Sequence, residues 1–176
     1  MNSSNTNSGG WTSCAMRSTH LPAILALMPT EVQNGIREVN KLTSAGSQSA
    51  TINTTADKLF LLSEIEIFGS VSYSKSGEGT QYDYYKAGNS KVKKQNVSAA
   101  GWWERSPNAS NSTNFCLVNS NGNANNNNAS NANGVAFGFC TARSDAVTAG
   151  RRRSSTYAEG ELIPGKSQNN PPVQTA

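Results

Sequence analysis

Twelve of the 26 residues from 108 to 133 are asparagine, and most of the others are Ser, Ala, Gly or Thr. Asn forms helices and strands poorly, and such a tract buries too little to offset the entropy of ordering it. It is therefore either a disordered low-complexity insert or a displayed surface held by a frame. Apolar anchors bound it. Trp102 and Trp103 precede it, Phe115 and Leu117 share a face before its densest run, and Val135, Phe137 and Phe139 share a face after it. Asn119, Asn121, Asn123 and Asn125 alternate, as do Asn131 and Asn133, and period two is strand spacing. Gly122, residues 125–128 and Gly134 supply turn chemistry. The pattern favours apolar strand roots carrying polar tips, because a disordered tract has no need of aromatic residues in register at both ends.

The frame has to come from the rest of a 176-residue chain, enough for one domain with a core and a tail. The net charge of +4 gathers at residues 151–153 and at Lys91, Lys93 and Lys94. Such runs read as solvated loop charge, with contact to an anionic surface as the other reading. Basic and aromatic residues are not interleaved as in nucleic-acid modules, and no apolar run approaches membrane-spanning length. Residues 1–10 are polar and lack the apolar stretch of a secretion signal, so they read as a flexible leader or the cut end of a longer protein. Cys14, Cys116 and Cys140 have no metal-ligand spacing. They read as buried reduced thiols, with a meeting of Cys116 and Cys140 across neighbouring strands as the alternative. His20 is the only histidine, and no nucleophile motif accompanies it. Glu64 and Glu66 read as a solvated turn.

Taken in order, residues 11–28 carry Ala15, Met16, Leu21, Ile24, Leu25 and Met28 at helical spacing, interrupted near Pro22. A second short helix follows, with Thr30 as N-cap and Val32 and Ile36 inward. Residues 38–43 read as a strand and 45–55 as a loop. Residues 59–62 form the most apolar run and read as a buried central strand. Ser63 is expected to cap one helical turn closed at Gly69. Residues 71–80 read as a loop, 81–87 as a short helix with Tyr82 and Tyr85 inward, and 89–99 as a polar connection. Strands are expected at 102–106, stopped by Pro107, at 115–118 and at 135–140. Tyr157, Leu162 and Ile163 suggest one last edge strand, and 164–176 a disordered tail. The sum is an α+β domain.

The succession of Leu59, Phe60, Leu61, Leu62, Ser63 and Glu64, then Gly69, Tyr82 and Tyr85, then Trp103, Glu104, Arg105, Ser106 and Pro107, then Gly134, Val135 and Phe139 resembles a known family. It is similar to the C-type-lectin-like domain of bacterial and phage proteins, in particular the variable proteins of diversity-generating retroelements, which are relatives of the formylglycine-generating enzyme fold. The likeness spans residues 11–140. Its specific part is WWERSP, the Asn-rich tract and GVAFGFC. It implies a C-type-lectin-like domain at 11–163 with a variable region at about 101–140. In such systems a reverse transcriptase misincorporates opposite adenine. An AAC codon randomised at its two adenines yields residues of every chemical class and never a stop, so Asn richness implies a region close to its template.

By that resemblance, the variable face comprises Asn108, Asn111, Asn114, Asn119, Asn121, Asn123, Asn125, Asn126, Asn127, Asn128, Asn131 and Asn133. Trp102, Trp103, Arg105, Phe115, Val135, Phe137 and Phe139 are scaffold, with Arg105 tying loop carbonyls through its several donors. The implied role is a retroelement-diversified receptor-binding or adhesin domain on a phage tail or bacterial surface, binding a protein or cell-surface ligand. Catalysis, metal, cofactor, nucleic acid and membrane insertion are not implied. The calcium-binding motifs of animal lectins are not evident. Two departures matter: 36 residues follow Cys140, and the tract's one aromatic is Phe115, so this version is expected to bind weakly. Two alternatives stay open. An enzyme of the formylglycine-generating kind would need Cys116 and Cys140 as its copper-binding pair, and fold alone does not carry function. A structural domain would use the Asn tract as a passive spacer.

Overall fold

Trp11, Cys14, Met16 and Leu21 set the inner face of the first third of the chain, and Ile24, Leu25 and Met28 pack against them. The computed structural model describes residues 1–141, which belong to one unit. The residues at 151–153, the edge strand expected at Tyr157, Leu162 and Ile163, and the tail at 164–176 lie outside the described residues. The amphipathic stretch is broken into α1 (Gly10–Ser13), a π-helical turn (Met16–His20) and α2 (Leu21–Ala26). Pro22 sits in the first turn of α2, where a missing N–H costs nothing. In α3 (Thr30–Gly35) the cap position falls on Pro29 rather than Thr30, and no side chain caps it. Val32 faces outward, and Ile36 is buried as the first residue of β1 (Ile36–Arg37).

The remainder is a set of short antiparallel ladders. β2 (Val39–Ser44) pairs with β3 (Ile52–Asp57) over six residues. The loop expected at 45–55 is therefore only partly a loop. Ile52, Thr54 and Thr55 are β-branched, and the ladder to β2 overrides the polar composition that hid them. β4 (Phe60–Leu61) is buried as expected, but among the described residues it is not the centre of a broad sheet and pairs with β10 (Phe137–Gly138) alone. α4 (Glu64–Phe68) matches expectation closely. Ser63 and Glu66 form a reciprocal capping box, and Gly69 closes the turn at φ 74° in the left-handed region. α5 (Asp83–Lys86) buries Tyr85 but leaves Tyr82 partly exposed, its hydroxyl held by Lys41. The polar connection at 89–99 contains a hairpin, β5 (Lys93–Gln95) and β6 (Ser98–Ala100), turning at Asn96 with φ 56°.

The WWERSP segment is a fully buried strand on one side of the largest sheet among the described residues. β7 (Trp102–Pro107), β8 (Asn114–Val118) and β9 (Ala124–Asn128) run antiparallel in that order. Side chains alternate across a strand, so adjacent tryptophans serve different clusters. Trp103 joins Phe115, Leu117, Phe60, Leu61 and Trp11, whereas Trp102 joins Val118, Ile67 and Tyr85. Each such buried aromatic contributes roughly 2–3 kcal/mol. The strand expected at 135–140 is divided. Gly134 first lies parallel to Trp102, then β10 pairs with β4, and β11 (Cys140–Thr141) pairs with β1.

Residues 1–10 do not behave as a flexible leader. Met1 and Asn7 are buried. The Met1 carbonyl accepts from Met16 N–H, and Asn2 N–H donates to the Ala129 carbonyl. The Asn7 amide donates to the carbonyls of Asn108, Asn111 and Asn114 at 3.3, 2.7 and 2.8 Å, and its Oδ1 accepts from Ser47 N–H. These polar residues are held by hydrogen bonds rather than by apolar burial, so a hydropathy reading misses them. Asn7→Ala is expected to lower the unfolding free energy by about 2–3 kcal/mol, because it orphans buried carbonyls. Ser3→Ala, at an exposed position, should change it by less than about 0.5 kcal/mol in the same urea melts.

Candidate functional site

The site is built outward from Arg105. Its side chain is wholly buried in β7. Nε and Nη2 donate to the Leu42 carbonyl at 3.1 and 3.0 Å, Nη1 to the Leu61 carbonyl at 2.9 Å, and Nη2 to the Glu78 carbonyl at 2.8 Å. Nη1 also forms an ion pair with Glu66. Arg105 thus ties backbone carbonyls, but only that of Glu78 lies in a loop; those of Leu42 and Leu61 belong to β2 and β4, so the side chain joins these strands and the loop at 70–80 to the β7–β8–β9 sheet. Glu66 further accepts from Lys41 Nζ at 3.1 Å and from Ser63 N–H at 3.0 Å. Burial alone would raise the Glu66 pKa, but Arg105, Lys41 and Ser63 together outweigh it and hold the carboxyl below its usual value.

Glu64 and Glu66 are buried, not a solvated turn. The Glu64 carboxylate accepts the backbone N–H groups of Tyr73 and Ser74, pinning that loop. Glu78 accepts from the Ser44 N–H at 2.8 Å and from the Ser106 hydroxyl. Glu104 is also fully buried, and among the described residues neither of its carboxyl oxygens, nor the Ser74 hydroxyl, has a hydrogen-bond partner. Burial, reinforced by the charges of Glu64 and Glu78 and opposed by Arg105, raises the Glu104 pKa well above its usual value. Burial raises the Cys116 thiol in the same way. The sequence signal was available in WERSP, where a charged pair sits inside a strand bracketed by apolar residues.

On this frame the Asn-rich tract is a hydrogen-bonded hairpin. β8 is its buried arm, and β9 is the edge of the sheet. Residues 119–123, whose alternation has strand spacing, form the turn between the arms, whereas 125–128, expected to supply turn chemistry, lie in β9 because the ladder to β8 orders them. Asn119 N–H donates to the Asn123 carbonyl, Asn119 Oδ1 accepts from the N–H groups of Asn121 and Asn123, and Gly122 adopts φ 88°. Asn bonds readily to backbone two residues on, so Asn at alternate positions suits a turn as well as a strand. In β9 the N–H groups of Asn126 and Asn128 donate to the Oδ1 atoms of Asn125 and Asn127. Antiparallel pairing leaves alternate backbone groups unpaired on an edge strand, and here the neighbouring amides occupy them. Asn114 donates to Asn126 Oδ1 at 2.7 Å, and Asn131 to Asn127 Oδ1 at 2.7 Å.

The expected face therefore divides. Asn121, Asn123, Asn125, Asn128 and Asn131 are exposed, and Asn111, Asn114, Asn119, Asn126, Asn127 and Asn133 are half-buried. Asn108 is buried, its Oδ1 accepting from the N–H and hydroxyl of Ser110, so it shapes the root instead of belonging to a face. Asn111 does the same for Thr113. Of the expected scaffold, Trp102, Trp103, Arg105 and Phe115 are buried and Phe137 half-buried. Val135 and Phe139 are exposed, because the chain changes partners twice between residues 134 and 141 and no single face persists. Sequence reading also missed Asn5, whose Oδ1 accepts from the N–H and hydroxyl of Ser130. Cys14 and Cys116 are buried free thiols, but Cys140 is exposed. Cys116 and Cys140 do not pair, since β8 and β11 belong to different sheets. His20 is exposed. Among the described residues no group of three or more His, Cys, Asp or Glu side chains is placed to hold a metal, and no helix is long and apolar enough to cross a membrane.

These features define an α+β domain in which an Asn-rich edge hairpin stands on an arginine-centred frame. The model of a family described as a domain of unknown function, DUF6273, matches residues 1–142, and the chain belongs to that family. The match takes in the packed N-terminal ten residues as well as the hairpin. No curated protein and no solved structure matches the chain.

Arg105→Lys, with fewer donors than the acceptors around it, is expected to cost about 3–5 kcal/mol in urea unfolding by leaving Glu66 and several carbonyls unpaired. Glu104 generates a pH dependence. Its carboxyl titrates near 4.5 when unfolded and well above that when folded. Its contribution to stability is therefore complete below the unfolded value and is lost as pH rises towards the folded one. Urea midpoints of Glu104→Gln between about pH 5 and 8 should fall less with pH than those of the parent. Glu66, shifted the other way, weakens both proteins alike as pH drops below 4.5.

Proposed function

We propose that the chain is a ligand-binding display domain with a C-type-lectin-like frame, a retroelement-diversified receptor-binding or adhesin protein of a phage tail or bacterial surface. Its partner is a protein or cell-surface ligand, met through the outward side chains of the Asn-rich hairpin. The observation that carries this reading is the division of labour within the tract. The core is held by Phe115, Leu117 and Ala129, all buried, and the ladder by backbone groups. Asn121, Asn123, Asn125, Asn128 and Asn131 project to solvent from that support. A surface of this kind tolerates change in its outer residues while the frame stays constant. A fixed C-type-lectin-like surface domain of unknown ligand is the alternative with the same geometry.

An enzyme of the formylglycine-generating kind draws less support. Cys116, one of its two cysteines, is buried with a raised thiol pKa, which opposes thiolate formation. The passive spacer draws less support as well, because the hairpin is bonded at both ends and to the N-terminal segment.

Sequencing the gene and its flanking DNA across a growing population tests the proposal directly. Substitutions concentrated in the codons for 121–131, at adenines of a nearby near-copy, are expected. An invariant tract with no near-copy and no reverse transcriptase gene leaves the fixed domain. Replacing the five exposed asparagines together by Ser, Thr or Asp should change unfolding free energy by less than about 1 kcal/mol. A loss of several kcal/mol would make the side chains structural. Limited proteolysis should spare residues 119–131, whereas a spacer would be cut there.

A further inference from the structure

β9 is an open edge. β8 lies on one side of it, and among the described residues no strand lies on the other. An open edge is a template for pairing with another chain, and proteins usually blunt it with charge, proline or a bulge. β9 has none of these. It reads Ala-Asn-Asn-Asn-Asn, its register against β8 runs unbroken from Asn114 opposite Asn128 to Val118 opposite Ala124, and no charged residue occurs between Arg105 and Arg143. Uncharged asparagine strands are also prone to stack on their own kind, because their amides form ladders. The usual protections of an edge are therefore missing where they are most needed.

The ladder fixes which backbone groups face outward. Opposed residues in an antiparallel pair alternate between bonded and non-bonded. Asn119 N–H donates to the Asn123 carbonyl at 2.9 Å, so these two form a bonded pair. By alternation Asn125 and Asn127 bond to β8, whereas Ala124, Asn126 and Asn128 turn their N–H and C=O groups away from it. The outward groups are occupied. Asn126 N–H donates to Asn125 Oδ1 at 2.8 Å, and Asn128 N–H donates to Asn127 Oδ1 at 2.9 Å. The Asn128 carbonyl accepts from Asn131 N–H at 2.9 Å, and Asn131 Nδ2 donates to Asn127 Oδ1 at 2.7 Å, which steadies that amide. Of the outward donors, Ala124 N–H alone carries no side-chain cap among the described residues.

We propose that the side-chain amides of Asn125 and Asn127 are guards that keep β9 from pairing with β9 of a second copy of this chain. The bare edge is self-complementary. An antiparallel pair centred on Asn126 sets each copy's Asn126 N–H against the other's Asn126 carbonyl, and Ala124 against Asn128. With both amides in place, that pairing has to break the bonds that already hold Asn126 and Asn128. Without them the edge is uncharged, unbulged and open. The device does not rest on the hairpin being variable and holds equally for a fixed domain. In a variable tract it marks 125 and 127 as the positions where losing a short acceptor costs the monomeric state.

Sedimentation velocity of the full chain at rising concentration tests this, comparing Asn125→Val with Asn127→Val against a control, Asn123→Val with Asn128→Val. The control adds the same apolar groups at exposed positions whose backbone N–H groups, and not their side chains, make the local bonds. The parent and the control are expected to stay monomeric, and the unguarded variant to dimerise with a Kd of about 100 µM or below. Amide exchange within 124–128 should slow in that dimer. In the parent, which needs no variant to fold, the protection factors of the Asn126 and Asn128 amides should exceed that of Ala124 about fivefold. An unguarded variant that is folded and still monomeric at about 1 mM would overturn the proposal, as would a control that dimerises as tightly or a parent that already pairs through β9. Equal exchange of Ala124, Asn126 and Asn128 in the parent would overturn it too. None of these results bears on whether the gene is diversified, which the sequencing decides.

Discussion

The buried guanidinium of Arg105 is the junction on which the other elements depend. Its donors reach carbonyls on β2, on β4 and in the loop that ends at Glu78, and its charge is met by Glu66, which also caps α4. The ladders of this protein are mostly two-stranded and short, and ladders of that size are marginal by themselves. One rigid, multidentate group therefore does what a broad sheet does elsewhere. It brings separate pieces to a common origin and satisfies carbonyls that no neighbouring strand reaches. The cost is an acidic surrounding in the interior. Glu64 and Glu78 find partners, whereas Glu104 does not and is kept towards its neutral form by burial.

The same economy extends to the Asn-rich hairpin. Apolar residues contribute only at its root, and amide groups manage the rest. Asn108 and Asn111 shape the entry, Asn119 and Asn121 close the turn, Asn125 and Asn127 cover the outer edge of β9, and Asn7 holds the root from the other end of the chain. A short amide bonds to nearby backbone in conformations neither helical nor extended. Asn is thus suited to stabilise a hairpin tip locally while leaving its outer surface free to serve another purpose. That separation of frame from face motivates the display reading.

Much of this was legible in the residues. The capping box of Ser63 and Glu66, the αL glycine at 69 and Pro22 in a first turn are local chemistry, and local chemistry is written in adjacent positions. The strands at WWERSP and around Phe115 were equally readable, because both carry a large apolar payload. The misses share a cause. The β3 strand, the packed N-terminus and the buried glutamates of α4 are polar sequences held by hydrogen bonds to other segments, and hydropathy assigns polar residues to solvent by default. Val135 and Phe139 err in the opposite sense, since alternation promises one face only while the strand remains a strand.

By itself, then, the sequence determined the local turns and caps, the apolar strand roots and the α+β character, since propensity and periodicity act over a few residues. Only the tertiary structure decided which asparagines face solvent and which build turns, that residues 1–10 clamp the tract, and that Glu104 is buried without a partner. It also decided that Asn133 lines a cavity beside the β5–β6 hairpin. Exposure, the N-terminal clamp and the burial of Glu104 depend on hydrogen bonds or burial between segments far apart in the chain, and the spacing of residues along one segment carries no record of them.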